Sequence, residues 1–321
     1  MSEPCPLTHG VPQGSILGPT LFLVMIADMP KHVIGNMSNA NMMSYADDST
    51  FYVHAKNLGQ LKADLEILSD RMISYCHSAG LVLNNDKTQL LVSPKQECHI
   101  RVGSSQIAST TEINLLGVDF DSNFSTKPFL NNLARAAKSR AALIHRLSFV
   151  MPPHLLTSFA HGILMGKILN ACPVTIPIRL HDDDRMCIGV TEEINKAIKA
   201  TARTITKTKL SDKIRSEDIL RKANLKCLNE AVASITAVTV WKSKQSMNPL
   251  GLRLFKEHHR SRSTRSTASN EIRPPVPGYP MLATNIMASV WNDIPELQSA
   301  STLAAAKTAA SKWSKGLPKT T

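Results

Sequence analysis

Apolar and polar positions near the start of the chain predict a helix followed by a β-hairpin. The segment from Thr20 to Asp28 is apolar nearly all round, so we expect a buried helix that begins just after Pro19. Two β-prone segments then flank Asp47 and Asp48. Because aspartate is well tolerated in tight turns, this pattern indicates a hairpin with the two acids at its turn.

Helical spacing returns after the hairpin and is followed by short strands. Asn57 is a suitable N-cap, apolar residues recur every three or four positions, and Gly80 suits the C-terminal cap. The apolar positions are Leu58, Leu61, Leu65, Leu68, Met72 and Tyr75. Four strands are predicted beyond this helix, at residues 81–83, 89–92, 100–102 and 114–118. This order predicts an antiparallel sheet with helices on one face.

From about residue 126 the pattern is mainly helical. Apolar residues at helical spacing are interspersed with basic residues up to Leu147. Further helices are predicted from Glu192 to Thr208, from an N-cap at Ser216, and from an N-cap at Asn229 onward. Residues 256–280 are polar, basic and proline-rich, which is typical of a linker.

The charge is divided unevenly between the two halves of the chain. Residues 1–125 carry 7 Lys or Arg and 12 Asp or Glu, a net charge of −5, whereas residues 126–321 carry 30 and 13, a net charge of +17. An acidic half followed by a basic one suits a polyanion held beside a metal centre. The alternative at this level is a generally basic protein.

Cysteine usage and hydropathy limit the class of protein. The six cysteines are scattered, which indicates neither a disulfide framework nor a zinc finger. Neither a signal peptide nor a long uninterrupted apolar segment is visible, so we expect no membrane partner. An intracellular protein is predicted, in the nucleus or the cytoplasm.

Four sequence motifs, in a fixed order along the chain, contain the candidate functional residues. They are GVPQGSILGPTLF from Gly10, YADD from Tyr45, GLVLNNDKTQLLV from Gly80 and LLGVDFD from Leu115. Together they resemble the reverse transcriptase of a LINE-type (non-LTR) retrotransposon of the Jockey-like branch. The resemblance implies an α+β fold, with a partial polymerase palm (an antiparallel sheet with helices on one face) followed by a mainly helical thumb and a C-terminal extension. The expected domains are a palm at 1–125, a helical thumb or connection region at 126–255, a flexible basic linker at 256–280 and a helical extension at 281–321.

The resemblance also implies roles for individual residues. Asp47 and Asp48 match the catalytic, metal-binding pair, which would hold Mg²⁺ or Mn²⁺. Residues that match the positions beside template, primer and nucleotide are Pro12, Gln13, Gly14, Ser15, Tyr45, Ala46 and Lys87. Lys87 would neutralise charge or donate a proton to pyrophosphate. The alternatives are two solvated turn aspartates, a structural turn at residues 12–15 and a solvated lysine.

The implied reaction is RNA-directed DNA synthesis by two-metal nucleotidyl transfer, with an RNA template, a DNA primer and dNTP as partners. It takes three carboxylates, and in the family the third comes from a strand upstream of GVPQGS. Only Glu3 is acidic before Gly10 here, so we expect an incomplete metal site and no activity from this chain alone. One alternative is a nucleic-acid-binding relic of a retroelement without catalysis, and another is a relic with no selected function.

Overall fold

The computed structural model describes residues 14–180, 188–246, 250, 254–255 and 283–318. The predicted linker at 256–280 lies outside these residues. The chain divides into two compact units, one of residues 1–113 with 121–125 and the other of residues 114–120 with 126–321. Each unit has its own apolar core.

The first unit begins with two short helices, α1 (Gly18–Met25) and α2 (Met29–Ile34). The prediction that the first helix is buried is wrong: only its Phe22 side packs on the core, and Leu21, Leu23 and Val24 are more than half exposed. An all-apolar helix is buried only where other elements cover every side of it. Among the described residues, only one side of α1 is covered.

The predicted hairpin is confirmed. Strands β1 (Ala40–Tyr45) and β2 (Asp48–Val53) pair antiparallel from Ala40 opposite Val53 to Tyr45 opposite Asp48. Alternate side chains point to opposite faces of a hairpin. One face packs on the core through Met42, Phe51 and Val53, and Met43, Tyr45 and Tyr52 are exposed.

Helix α3 (Leu58–Ser78) is capped as the sequence predicts. The Asn57 side chain accepts a hydrogen bond from the Gln60 amide at 2.8 Å. At the other end, Gly80 has a φ of +69°, its amide donates to the His77 carbonyl, and the Leu81 amide donates to the Cys76 carbonyl. This is the Schellman pattern, in which a left-handed glycine lets two amides satisfy the last carbonyls of the helix.

The remaining strands are short. They are β3 (Leu90–Leu91), β4 (His99–Val102), β5 (Ser105–Thr110), β6 (Glu112–Leu115) and β7 (Val118–Asp121). The second sheet has the order β3-β5-β4, with β3 parallel and β4 antiparallel to β5, and β6 pairs with β7. The α+β class is confirmed, but the described strands form three small sheets, and the first two pack against different residues of α3.

Two strand predictions differ from the structure. Residues 81–83 are not assigned to a strand, and Val82 is 95% exposed. The strand predicted at 114–118 is instead the tip of the β6–β7 hairpin. Leu116 and Gly117 both have positive φ, which is the backbone that a two-residue hairpin turn requires.

The second unit is helical around one large core. Its helices are α4 (Lys127–Leu147), α5 (Pro153–Phe159), α6 (Gly166–Ile168), α7 (Cys172–Thr175), α8 (Ile188–Thr206), α9 (Ser216–Lys222), α10 (Leu228–Ser246), α11 (Ala283–Asn292), α12 (Pro295–Gln298) and α13 (Leu303–Ser314). A π-helical segment, Ala160–Met165, joins α5 to α6. None of the described helices has the length and hydrophobicity needed to cross a bilayer.

Both predicted N-caps in this unit are wrong. Ser216 is the first residue of α9, and Arg215 occupies the cap position. Asn229 lies inside α10 and is buried, where its amide donates to the Arg179 and Pro318 carbonyls and its oxygen accepts from the Arg179 amide. A buried side-chain amide with satisfied partners ties distant segments together, which a local cap would not do.

Candidate active site

The tip of the β1–β2 hairpin carries the two candidate metal ligands. Ala46 has a φ of +51°, a left-handed conformation that is strained for a residue with a Cβ. Asp47 occupies the turn and Asp48 is the first residue of β2, and both are exposed. The hairpin therefore presents two adjacent carboxylates to solvent. Mg²⁺ prefers one or two protein carboxylates together with substrate phosphates, so this donor set fits part of a magnesium site.

A buried carboxylate anchors the other end of the hairpin. Asp64 of α3 is 6% exposed and is the only charged side chain that is buried among the described residues. Its two oxygens accept hydrogen bonds from the amides of Gln60 and Asn39, each at 2.7 Å. Asn39 and His54 flank the last strand pair: the Asn39 side chain donates to the His54 carbonyl, and the His54 amide donates to the Asn39 carbonyl.

The anchor lies at the end of the hairpin that is far from Asp47 and Asp48. Ala40 and Tyr45 are separated by about 17 Å of strand, at about 3.4 Å for each residue. A tilt of only about 4° at the base would move the tip by about 1 Å, and productive sites need their groups placed within about 0.5 Å. Asp64 therefore influences the position of Asp47 and Asp48 through Asn39.

Asp28 is held away from a ligand role by a tyrosine. The Tyr75 hydroxyl lies 2.7 Å from a carboxylate oxygen of Asp28 and 2.9 Å from the carbonyl of Met25. This hydrogen bond lowers the pKa of the Asp28 carboxyl, and His32, 3.2 Å away, adds to the effect. Burial, and then the bond to Asp28, raise the pKa of Tyr75 to about 12. The contact joins the end of α1 to α3.

The other sequence-predicted site residues lie on separate loops of the same unit. Pro12 and Gln13 lie outside the described residues. Gly14 has a φ of +84°, and the Ser15 hydroxyl accepts from the Gly18 amide at 3.0 Å, so this part of the loop begins α1. This hydrogen bond gives Ser15 a structural role at the start of the helix.

Lys87 lies in a single 3-10 turn, Asn85–Lys87. The turn is fixed by Asn84, whose side chain accepts from the Lys87 amide, and by Asn85, which donates to Ser105 at 3.0 Å. The Lys87 side chain is exposed and forms no salt bridge with a described residue. Among the described residues, no hydrogen bond or ion pair joins this turn to the Ser15 loop or to the hairpin tip. The described part of the chain also contains no cluster of three or more His, Cys, Asp or Glu side chains that could hold a metal.

Sequence reasoning missed Asp64 and Asn39. A signal for Asp64 was available, because it lies three residues after Leu61 and four before Leu68, on the buried stripe of α3. A carboxylate at such a position must be paired or hydrogen-bonded. Nothing in the local sequence pointed to Asn39 as its partner, since the contact spans 25 residues.

Comparison with known proteins defines the class of the first unit. Residues 2–120 match the family of reverse transcriptases (RNA-dependent DNA polymerases), and this match contains the hairpin and both aspartates. This part of the chain is therefore a reverse-transcriptase sequence. No solved structure matches the chain.

Curated relatives narrow the class. The chain is 24% identical over 174 residues to the RNA-directed DNA polymerase from mobile element jockey of Drosophila melanogaster, an alignment that covers 52% of this chain and 19% of the relative. It is 29% identical over 188 residues to the Pol polyprotein from the type-2 retrotransposable element R2DM of the same fly, covering 50% and 17%. A jockey polymerase of Drosophila funebris is 24% identical over 137 residues, covering 41% and 15%.

By these matches the chain is similar to reverse transcriptases of LINE-type, non-LTR retrotransposons. The chain spans less than a fifth of the length of each of them.

Proposed function

We propose that the first unit is a reverse-transcriptase palm in which Asp47 and Asp48 hold divalent metal for RNA-directed DNA synthesis. The observation that carries this proposal is the hairpin itself, which presents two adjacent carboxylates at its tip within the segment that matches the family. Mg²⁺ or Mn²⁺, when bound there, would activate a primer hydroxyl and stabilise the leaving pyrophosphate. An RNA template, a DNA primer and dNTP are the partners that this function requires.

Other residues of the unit would support the two aspartates. The Asp64 anchor would limit the tilt of the hairpin at its base. Ala46, which is small, would let a primer end approach the tip. Residues 12–15 would contact template and nucleotide. Lys87 would place its charge near the triphosphate, where an exposed ammonium without an acidic partner is available to a phosphate. If the first unit is a palm, residues 126–255 would form the thumb, residues 256–280 a linker and residues 281–321 a C-terminal extension.

We further propose that this protein does not complete nucleotide addition by itself. Two-metal transfer takes three carboxylates, and the hairpin supplies two. Extension of an oligonucleotide primer on a homopolymer RNA template tests this, with Mg²⁺ and with Mn²⁺. The expected result is no incorporation above an Asp47→Asn control. Robust incorporation that is lost in Asp47→Asn would contradict inactivity and support the metal site.

A second candidate function is nucleic-acid binding without catalysis. The net charge of +17 in residues 126–321 favours it, because neutralising phosphates releases counterions and so drives association. Salt-dependent binding of RNA or DNA that is the same in wild type and Asp47→Ala would support this candidate. Binding that requires Asp47 would instead favour a role confined to the polymerase site.

A further inference from the structure

The clearest charged surface outside the hairpin lies along α4. Residues 122–181 contain no Asp or Glu and seven Lys or Arg. The basic residues are Lys127, Arg135, Lys138, Arg140, Arg146, Lys167 and Arg179. Lys138 is neutralised by Glu193 of α8, which also pairs with Lys196. The arginines of the α4 surface have no such carboxylate within their own segment.

Two of these arginines line a groove between α4 and the π-helical segment. The groove encloses about 400 Å³ and is lined by Ser139, Arg140, Leu143, Arg146 and Ile163. Neither Arg140 nor Arg146 forms a salt bridge with a described residue. The groove therefore combines two cations and a hydroxyl with two aliphatic walls.

Two exposed apolar side chains lie beyond the end of α4, next to Arg146. The Val150 and Met151 amides both donate to the Leu147 carbonyl, so helical bonding persists past the last assigned residue. Val150 lies four residues after Arg146, on the groove side of this helix. Phe149 lies three residues after Arg146, so it is next to this arginine but outside the groove lining, on the side of the helix that carries His145. Phe149 is 79% exposed and Val150 is 80% exposed.

The Phe149 ring has one neighbour that orients it. It meets the His145 ring edge to face, with centroids 5.6 Å apart and planes at 72°. Such a contact holds an aromatic ring in place and leaves most of its area open to solvent. An aromatic ring that is both oriented and exposed is a platform on which a flat molecule can stack.

We propose that this groove binds an unpaired nucleotide of a single-stranded polynucleotide. The guanidinium groups of Arg140 and Arg146 would bind backbone phosphates, and the base would stack on Phe149. Contacts to a duplex backbone need cations alone, and paired bases hide their faces inside the stack. The aliphatic walls and the exposed ring are useful only to a base whose face is free. The site rests on the proposed nucleic-acid partner but does not depend on nucleotide transfer.

Fluorescence anisotropy of the full chain tests this site. The probes are a fluorescein-labelled oligo(dT), an oligo(U) and a duplex of the same length, each titrated at several salt concentrations. Phe149→Ala should weaken single-strand binding by roughly 5-fold to 100-fold, as loss of one base–aromatic contact does, and should leave duplex binding nearly unchanged. Phe149→Trp should retain single-strand affinity, because it restores the ring.

The arginines and three controls complete the design. Replacing Arg140 and Arg146 by Gln should weaken binding of every probe and reduce the salt slope on single strands by about 0.7 for each charge. Leu210→Ala removes an exposed apolar side chain elsewhere in the same unit and should change nothing. Asp70→Asn, in the first unit, should also bind normally. Because the assay measures binding alone, a failed polymerase function would not affect the result. Circular dichroism checks that each variant folds.

Three outcomes would overturn the proposal. Unchanged single-strand binding in Phe149→Ala would remove the stacking platform. An equal loss on the duplex would indicate a general phosphate surface. No binding of any probe by the wild type would show that the groove takes no polynucleotide. A hairpin tip that binds no divalent metal, in a protein with normal Phe149-dependent binding, would refute only the catalytic proposal.

Discussion

The two units of this chain differ in how they hold their functional surfaces. Among the described residues, the first unit has two small apolar clusters, of 8 and 5 buried residues, which involve different residues of α3, whereas the second has one cluster of 43. The hairpin of the first unit is held by one apolar face and by a few polar contacts at its base. The groove of the second lies on a helix whose opposite face is deep in a large core. Catalytic placement should therefore be easy to perturb, and nucleic-acid binding should be robust.

The largest effect is expected in the core of the second unit. Trp291 is fully buried, its ring meets Phe255 edge to face at 4.9 Å, and the Lys244 ammonium lies 4.6 Å from its centre. Trp291→Ala should lower the free energy of unfolding by about 3–5 kcal/mol, because it leaves a cavity. Urea denaturation followed by circular dichroism measures this loss.

Trp313→Ala is the matched control for that experiment. Trp313 is only partly buried at the edge of the same core, so its removal should cost clearly less. Equal losses for the two variants would contradict the account that full burial of Trp291 in this core is what makes it stabilising.

A smaller effect, confined to the hairpin, is expected from its anchor. Asn39→Ala removes one of the two amides that satisfy the buried Asp64 carboxylate and also the bond to the His54 carbonyl. Leaving a buried acceptor with fewer partners costs about 1–3 kcal/mol. Hydrogen exchange of the β1–β2 amides should accelerate accordingly.

Asp70→Asn serves as the control for the anchor. Asp70 lies on the same helix, half exposed, and pairs only with Arg101 at 3.0 Å. Exposed ion pairs contribute little, so hairpin exchange should be unchanged. Equal acceleration in both variants would show that α3 stability in general, and not the anchor, controls the hairpin.

The smallest effect concerns a surface ion pair in the second unit. Hydrogen bonds from Lys138, and next from Lys196, lower the pKa of Glu193 to about 2. Because this folded pKa is lower than the usual value of 4.5, the pair stabilises the fold above about pH 4.5 and the benefit disappears as pH falls toward 2. Glu193→Gln should thus be less stable than wild type at neutral pH and equal to it near pH 2.

Titration of the Glu193 side-chain carbon by NMR gives the pKa directly. A midpoint near 4.5, or a stability difference between wild type and Glu193→Gln that persists at pH 2, would contradict the ion pair. High salt should reduce the difference at neutral pH, since the pair is exposed to solvent.

Local sequence signals were sufficient to predict elements whose bounds are set by turn or cap residues within the element itself. The hairpin around Asp47 and helix α3 were predicted because turn chemistry, the Asn57 cap and Gly80 act within a few residues. The two-residue turn at Leu116 and Gly117 was missed, although the glycine was a local signal for it.

Features that depend on distant partners could not be predicted in this way. The exposure of α1 follows from what packs beside it, and its uniform apolar pattern carries no information about that. The role of Asn229 depends on the carbonyls of Arg179 and Pro318, which are 50 and 89 residues away. The candidate site shows the same limit, because the motif identified Asp47 and Asp48 but not the Asp64 anchor that positions them.

The central claim is that the hairpin tip binds a divalent metal. Paramagnetic broadening of backbone amide signals by Mn²⁺, in the full chain, tests it most directly. The account predicts broadening centred on residues 46–49 that disappears in the Asp47→Asn, Asp48→Asn double variant and persists in Asp70→Asn. Broadening that is centred elsewhere, or that survives in the double variant, would contradict it.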